Sequence, residues 1–406
     1  MSADIIVRRF EVRAADQGTL DELYLALREA VDKLPVDLVK AEIDKIGRPP
    51  MVTVRLQGAA SAIATVRDSI PRVQGVQLHR DWLDVPAAAP PAGGALRGGL
   101  APPEDEDKEV YPDQRALMRI DPEGRSRREK GSGARAVVAV VDSGIMVDHP
   151  AFQDNLWTMK INGRDVHGAR CMGGEQDYDL SDQDGHGTML AGTILGTANA
   201  VKGLEIMAVK FFDVITQPTA ANAAQAIRFA VGNGAHIINL SFDLGIGSTE
   251  LEQAIRSACQ AGALVVMAAG NTGSNNDDYP LTPAHYAKGC PDSTIVVMAT
   301  DLYDEKPTLT NFGSKTVDLA APGVKIETTR TFRPIGGLSR KYGRYTGTSA
   351  AAAMVTGAAA LLKSQNPNRN ANDLKRCLME SVDELPWLKC VSRGCLHLGH
   401  ALSCKP

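Results

Sequence analysis

The sequence predicts two domains: a small α+β unit, then a large α/β unit with a mainly parallel sheet flanked by helices. Two observations predict the large unit. From about residue 111 the runs "RAVVAVVDSG", "LEIMAVKFF", "AHIINLSF", "GALVVMAAGN" and "STIVVMATD" are continuously apolar, as strands buried on both faces must be. Between them lie stretches of helical spacing, such as "TAANAAQAIRFAVGNG" and "STELEQAIRSACQAG", and strands alternating with helices imply a parallel sheet. A third observation predicts the small unit: the first 86 residues switch between period two and period 3.6 within short segments.

Taken in order, "DIIVRRFEVRA" alternates like a strand. "TLDELYLALREAVDKL" is a helix with Thr19 as its cap. "LVKAEIDKIGRPPMVTVRLQG" gives two strands around the turn Gly47-Arg48-Pro49-Pro50. "SAIATVRDSIPRV" is a second helix and "GVQLHRDWLDV" a last strand. The resulting β-α-β-β-α-β order is the ferredoxin-like one. Residues 87–109 are Pro, Ala and Gly and then the acidic run "PEDEDKE", a solvated linker rather than a packed element. Residues 110–406 form the α/β domain.

Composition excludes several classes of function. At 406 residues the chain is long enough for a large core. A net charge of -4 gives no electrostatic case for nucleic acid or anionic membrane as a partner. With 5% aromatic residues, stacking platforms for bases are not expected either. No apolar stretch reaches the roughly 18 residues of a membrane span. The start "MSADIIVRRFEVRA" lacks the apolar core of a secretory leader, so the expectation is a cytoplasmic protein with reduced thiols. If a leader has been removed, the expectation becomes secretion, with disulfides. The seven cysteines include a C-x4-C-x-H-x2-H-x3-C run from Cys390 to Cys404. Its spacing matches no standard structural zinc pattern, so ordinary thiols are expected and no metal is assigned.

Three segments carry side chains for acyl transfer. Asp142 ends the first apolar strand of the α/β domain, in "VVAVVDSGI". His186 follows a Gly-flanked loop in "DQDGHGTMLAGTILG", and Ser349 opens "TSAAAAMVTGAAALL". Read alone, Ser349 is the polar start of an apolar helix. Together the three supply a hydroxyl to attack, an imidazole to take its proton, and a carboxylate to fix the imidazole tautomer. His149 reads as a structural turn, His236 as a satisfied core residue and His285 as an isolated loop residue.

At these residues the chain resembles the subtilisin-like serine peptidases (subtilases), over nearly all of 111–406. "VAVVDSGI…DHPAF" is similar to the family's aspartate motif, "DGHGT..AG" to its histidine motif and "GTSAAAA..TGAAALL" to its serine motif. "VVMAAGN" resembles the segment bearing the oxyanion asparagine, here Asn271. "NFGSKTVDLAAPGVKI" and "GCLHLGHAL" resemble the stretch before the serine motif and the closing helix. The resemblance implies a serine endopeptidase acting on proteins and peptides. It implies no cofactor for the chemistry, and structural calcium in many members; no loop here has regular calcium-ligand spacing.

Further roles are implied by the same resemblance. Ser241, Phe242 and Asp243 match the Ser-Leu-Gly stretch that pairs with an extended substrate, and Ala268, Ala269 and Gly270 match the opposite pocket wall. Asp243, where the family has Gly, is expected to favour a basic substrate residue near the scissile bond. Ala350 replaces the usual Met of the serine motif, Ala353 the usual Pro, and Met189 the second His of the histidine motif. The first 86 residues resemble the family's propeptide, a chaperone and inhibitor acting in cis that the enzyme itself cuts away. The alternatives are a permanent regulatory domain and a catalytically silent or partner-activated peptidase fold.

Overall fold

A computed structural model describes the strands 5–14, 39–47, 50–59 and 76–84, and residues 114–128, 132–173, 177–244, 247–332 and 341–405. Backbone contacts divide the chain into two units, 1–102 and 103–406. In the first, β1 (Ile5–Ala14), β2 (Val39–Gly47), β3 (Pro50–Ala59) and β4 (Val76–Asp84) form an antiparallel sheet in the order β2-β3-β1-β4. Each strand overlaps one expected from the alternating apolar pattern. The two helices expected between them, and the linker 87–109, lie outside the described residues.

The second unit is built on a nine-stranded sheet. In chain order its strands are β5 (Ala136–Asp142), β8 (Gly168–Arg170), β9 (Leu204–Lys210), β10 (Ile237–Leu240), β11 (Leu264–Ala268), β12 (Thr294–Thr300), β13 (Leu319–Pro322), β16 (Asp383–Glu384) and β17 (Gly394–Cys395). The numbers skipped are two hairpins: β6 (Met159–Ile161) with β7 (Arg164–Val166), and β14 (Ile326–Thr329) with β15 (Tyr342–Tyr345). The sheet order is β16-β17-β13-β12-β11-β10-β5-β9-β8, parallel except for β16 against β17.

The apolar runs are explained by two cores, one on each face. Val138 and Val140 of β5 enter one core, while Val137, Ala139 and Val141 enter the other. The same alternation holds for Leu264 and Val266 against Val265 and Met267 in β11. Each fully buried Val or Leu contributes about 1.5–3 kcal/mol relative to exposure, so both faces must be covered. Helices Ala220–Gly232 and Thr249–Gln260 cover the second face. Thr219 and Ser248 cap them by accepting the N–H of Asn222 and Leu251. Helices His186–Thr197 and Thr348–Gln365 cover the first face.

The chain leaves β5 for β9 on one side and crosses to β10 on the other. The carboxyl end of β5 is therefore the point where the strand order reverses, the usual position of a crevice in such sheets. Small residues bring the two first-face helices together there. A Cβ on Gly357 would lie 2.6 Å from Ile194 O and 2.7 Å from Thr197 Cβ. The run Ala350–Ala353 and Ala358–Ala360 is likewise buried against the sheet.

His149 ties the segment after β5 to the start of β15. Its Nδ1 accepts from Ala151 N–H at 3.1 Å, so its proton is on Nε2, which donates to Lys341 O at 3.0 Å. Phe152, Phe332 and Tyr342 surround the ring. The structural turn read from "DHP" thus has a second anchor in β15. His236 Nδ1 accepts from Val137 N–H at 3.0 Å, the satisfied partner expected of it.

The expectation of reduced thiols is corrected for four of the seven cysteines. Cys259–Cys290 and Cys377–Cys404 are disulfides with Cα atoms 6.5 and 5.5 Å apart, inside the range a bridge can span. Cys171, Cys390 and Cys395 are buried thiols. Among the described residues no helix is long and apolar enough to cross a membrane.

Two predictions follow from this packing. On an exposed helix Gly→Ala stabilises by about 1 kcal/mol. Gly357→Ala instead lowers the thermal midpoint, by roughly 2–4 °C per kcal/mol lost, because the added Cβ meets backbone. A midpoint that rises would show that the helices can part.

Burial holds the His149 pKa below its ordinary value of 6.5. The unfolded chain therefore binds that proton first. Stability contributed by neutral His149 is present above pH 6.5 and is lost as pH falls toward the folded-state pKa. His149→Gln should remove up to one proton's slope, about 1.4 kcal/mol per pH unit, from denaturant titrations between pH 7 and 5. An unchanged slope would exclude the assignment.

Candidate active site

Asp142 is the last residue of β5 and is fully buried, at 0% exposure. A carboxylate is costly there unless it is hydrogen-bonded. Its Oδ1 accepts from Ser143 N–H at 2.8 Å and from His186 Nδ1 at 2.7 Å. An ionised carboxylate only accepts, so His186 carries its proton on Nδ1 and Nε2 is the unprotonated nitrogen. Asp142 Oδ2 is buried with no hydrogen-bond partner among the described residues.

His186 is the first residue of its helix and is 5% exposed. Two features seat it. Gly187 approaches the strand so closely that a Cβ would lie 2.1 Å from Gly144 O. Asp182, which the sequence reading passed over, anchors the helix start. Its Oδ2 accepts from Thr188 N–H and Oγ1–H, at 2.8 and 2.6 Å. Its Oδ1 accepts from Gly185 N–H and Ser143 Oγ–H, at 2.8 and 2.9 Å. Burial still pushes its carboxyl above the usual range, against the pull of those bonds. An acid four residues before the histidine was the available signal.

Ser349 is 4% exposed and is the second residue of its helix, with Gly347 at the cap. It therefore sits in a first turn, whose N–H groups have no intrahelical acceptor. Its Oγ donates to Ser241 O in a long 3.4 Å contact, and Ser241 Oγ reaches back to Ser349 O at 3.5 Å. Behind these lies a buried chain that the sequence did not reveal: Asn239 Nδ2 donates to Ser241 Oγ at 3.0 Å, and Thr356 Oγ1 donates to Asn239 Oδ1 at 2.9 Å. Tyr345 links the serine turn to the imidazole. Its ring meets His186 edge-on with centroids 5.7 Å apart, and its hydroxyl lies 3.2 Å from where Gly347 would carry a Cβ.

Asn271 stands at the end of the β11 segment with its amide fixed. Oδ1 accepts from Thr348 N–H at 2.8 Å and from Thr348 Oγ1–H at 3.0 Å. Both bonds engage the oxygen, so the amide presents its NH2 as the free donor end. Of the expected pocket residues, Asp243 and Gly270 are half-buried. Ala269 is fully buried, with N–H on Val297 O and C=O on Asn276 Nδ2; it backs the wall rather than lining it. The Phe242 side chain packs against Phe211 at 4.6 Å in the second core. Its backbone is what remains for a substrate.

With this geometry in hand, comparison with known proteins is informative. A family profile described as "Subtilase family" matches residues 133–394. The chain is 34% identical over 277 residues to a thermostable alkaline protease of Halalkalibacterium halodurans, covering 67% of this chain and 68% of that protein. It is 33% identical over 270 residues to subtilisin Savinase of Lederbergia lenta, covering 65% and 88%. Among solved structures, the proteases of Pseudoalteromonas arctica PAMC 21717 align with a TM-score of 0.58 at 22% identity, over 73% of this chain and 98% of that one; this likeness speaks to fold alone. The ordered motifs, the buried Asp142–His186 pair and these matches lead to one conclusion: the chain belongs to the subtilase family of serine peptidases.

Proposed function

We propose that this serine endopeptidase works through Ser349 as nucleophile, His186 as general base and then acid, and Asp142 as the group that orients the imidazole. The observation that carries the reading is the buried 2.7 Å bond from His186 Nδ1 to Asp142 Oδ1. It makes His186 Nε2 the unprotonated nitrogen, the one that takes the Ser349 proton. For that, Ser349 Oγ must give up its long contact to Ser241 O. The alkoxide attacks the scissile carbonyl, and the oxyanion is received by Ser349 N–H and Asn271 Nδ2. His186 then returns the proton to the leaving amine, and water repeats the sequence on the acyl-enzyme. The imidazolium formed at each step faces the Asp142 carboxylate across that 2.7 Å bond. Its stabilisation is therefore built in before reaction. Protein groups alone supply this chemistry, with no cofactor, and any structural calcium would lie outside it.

Substrate recognition follows as a proposal from the same elements. The backbone at Ser241–Asp243 and the wall at Ala268 and Gly270, backed by Ala269, would hold an extended peptide. Asp243 would add a negative charge beside it. Residues 1–86 would restrain the enzyme in cis, with cleavage in 87–109 as release. The disulfides Cys259–Cys290 and Cys377–Cys404 favour an oxidising compartment as the place of work.

A fluorophosphonate probe should label the chain lacking residues 1–109, and that labelling should vanish in Ser349→Ala. The full chain should label far more slowly; equal labelling of the two forms would refute restraint in cis, and no labelling of either would refute Ser349 as nucleophile. Asn271→Ala should lower kcat by about 10²–10³ with KM little changed; a fall of less than about tenfold would remove Asn271 from the oxyanion role. In a peptide library the wild type should prefer basic residues beside the cleaved bond, and Asp243→Gly should cut that preference roughly tenfold, about 1.4 kcal/mol. Equal cleavage of basic and neutral peptides by the wild type would refute the Asp243 reading.

A further inference from the structure

One cluster of metal-ligating side chains lies at the far edge of the sheet. Asp383, His397 and His400 each offer a donor atom within 4.8 Å of the other two. Asp383 is on β16; His397 caps the last helical turn, Leu398–Ala401, which contains His400. Six strand spacings separate β16 from β5 in the sheet order, roughly 29 Å at about 4.8 Å each. The cluster is therefore no part of the catalytic centre.

Its construction is that of a ligand set. The two imidazoles stack with centroids 3.6 Å apart and planes 5° from parallel; because a metal lies in the plane of each imidazole that binds it, loading turns the exposed His400 ring out of the stack. Asp383 is oriented from behind: Arg119 Nη1 takes its Oδ2 at 2.6 Å, while Arg119 Nε is held by Asp304 Oδ1 at 2.6 Å. Oδ1 is left as the donor oxygen, the role a supporting shell plays around a ligating carboxylate. Gly399, between the histidines, keeps room at the ring edge. A Cβ there would lie 3.1 Å from His397 Cε1, 3.1 Å from Asp121 Oδ1 and 3.3 Å from Glu123 Oε2, so two further carboxylates stand near the His397 ring.

We propose that Asp383, His397 and His400 bind a divalent transition metal of zinc's class, through one carboxylate oxygen and two imidazole nitrogens, with water completing the shell. Imidazole donors select this class over calcium or magnesium, which require oxygen ligands. The cysteines of the same run are not ligands: Cys404 is bonded to Cys377, and Cys390 and Cys395 are buried thiols. His397 Nδ1 accepts from His400 N–H at 3.1 Å. Loading therefore gives up that amide bond either way: the metal takes the Nδ1 lone pair, or it takes Nε2 and the ring proton moves to Nδ1. The bound ion would clasp the chain end to β16 and, through Arg119, to the helix Gln114–Ile120.

The full chain, inhibited at its serine and stripped of metal, is titrated with Zn2+ by calorimetry and with Co2+ by visible absorption. One saturable Zn2+ per chain is expected, unaffected by excess Ca2+. His400→Ala and Asp383→Asn should each weaken it by roughly tenfold or more. His400 is exposed, so its variant should keep the wild-type circular dichroism and peptidase kcat/KM. Absence of a saturable site, or binding undiminished in both variants, overturns the proposal.

Discussion

The hydrogen bond between Asp142 and His186 is the constraint on which the rest of this structure depends. A fully buried carboxylate is tolerable only where donors are already in place, and the donors here come from two segments. Ser143 supplies a backbone N–H from the strand end, and His186 supplies its ring from a helix start. Asp182 secures that helix start and also engages the Ser143 hydroxyl. The two-sided burial of β5 holds the strand end in register with β9 and β10. If the strand could slide, the carboxylate would lose its partner and its burial would become a pure cost.

Close approach is the second requirement, and it explains residue choices that chemistry alone does not. Gly187 lets the histidine helix touch the Gly144 backbone. Gly357 lets the serine helix touch the histidine helix eight residues beyond Ser349, and the alanines between keep the helix flat against the sheet. Larger side chains would add buried area at about 25 cal/mol per Å². They would also shift Ser349 relative to the rest of the site, and the proposed proton transfer would be more sensitive to such displacement than the fold is.

How much of this was legible follows from where each signal lies. Five strands of the sheet were readable because burial on both faces writes a continuous apolar run, and two helix starts because Thr219 and Ser248 are side-chain caps. The four strands β8, β13, β16 and β17 were not, because two to four residues carry no period. Asp142, His186, Ser349 and Asn271 stood out because short motifs surround them. Asn239 and Tyr345 did not, since each acts through a partner distant in sequence, whereas Asp182 left a local signal as the acid four residues before His186. The Cys259–Cys290 and Cys377–Cys404 pairs, separated by 31 and 27 residues, depend on which helix ends the fold brings together, and spacing contains no such information.

The departures from the family's serine motif can be weighed by the same logic. Proline at 353 would stiffen the helix start by fixing φ, and Ala353 does not. The rigidity here comes from hydrogen bonds on the turn before it. Thr348 Oγ1 donates to Asn271 Oδ1 and accepts from Gly270 N–H at 3.1 Å, and Thr348 N–H binds the same Asn271 oxygen. Ser241 and Ser349 brace each other across the cleft floor. Asn271 and the serine turn are thus one joint, in which moving either moves both. A substitution at 353 acts one helical turn past that joint, so the polar contacts of Thr348, more than the identity of residue 353, determine how firmly Ser349 is held.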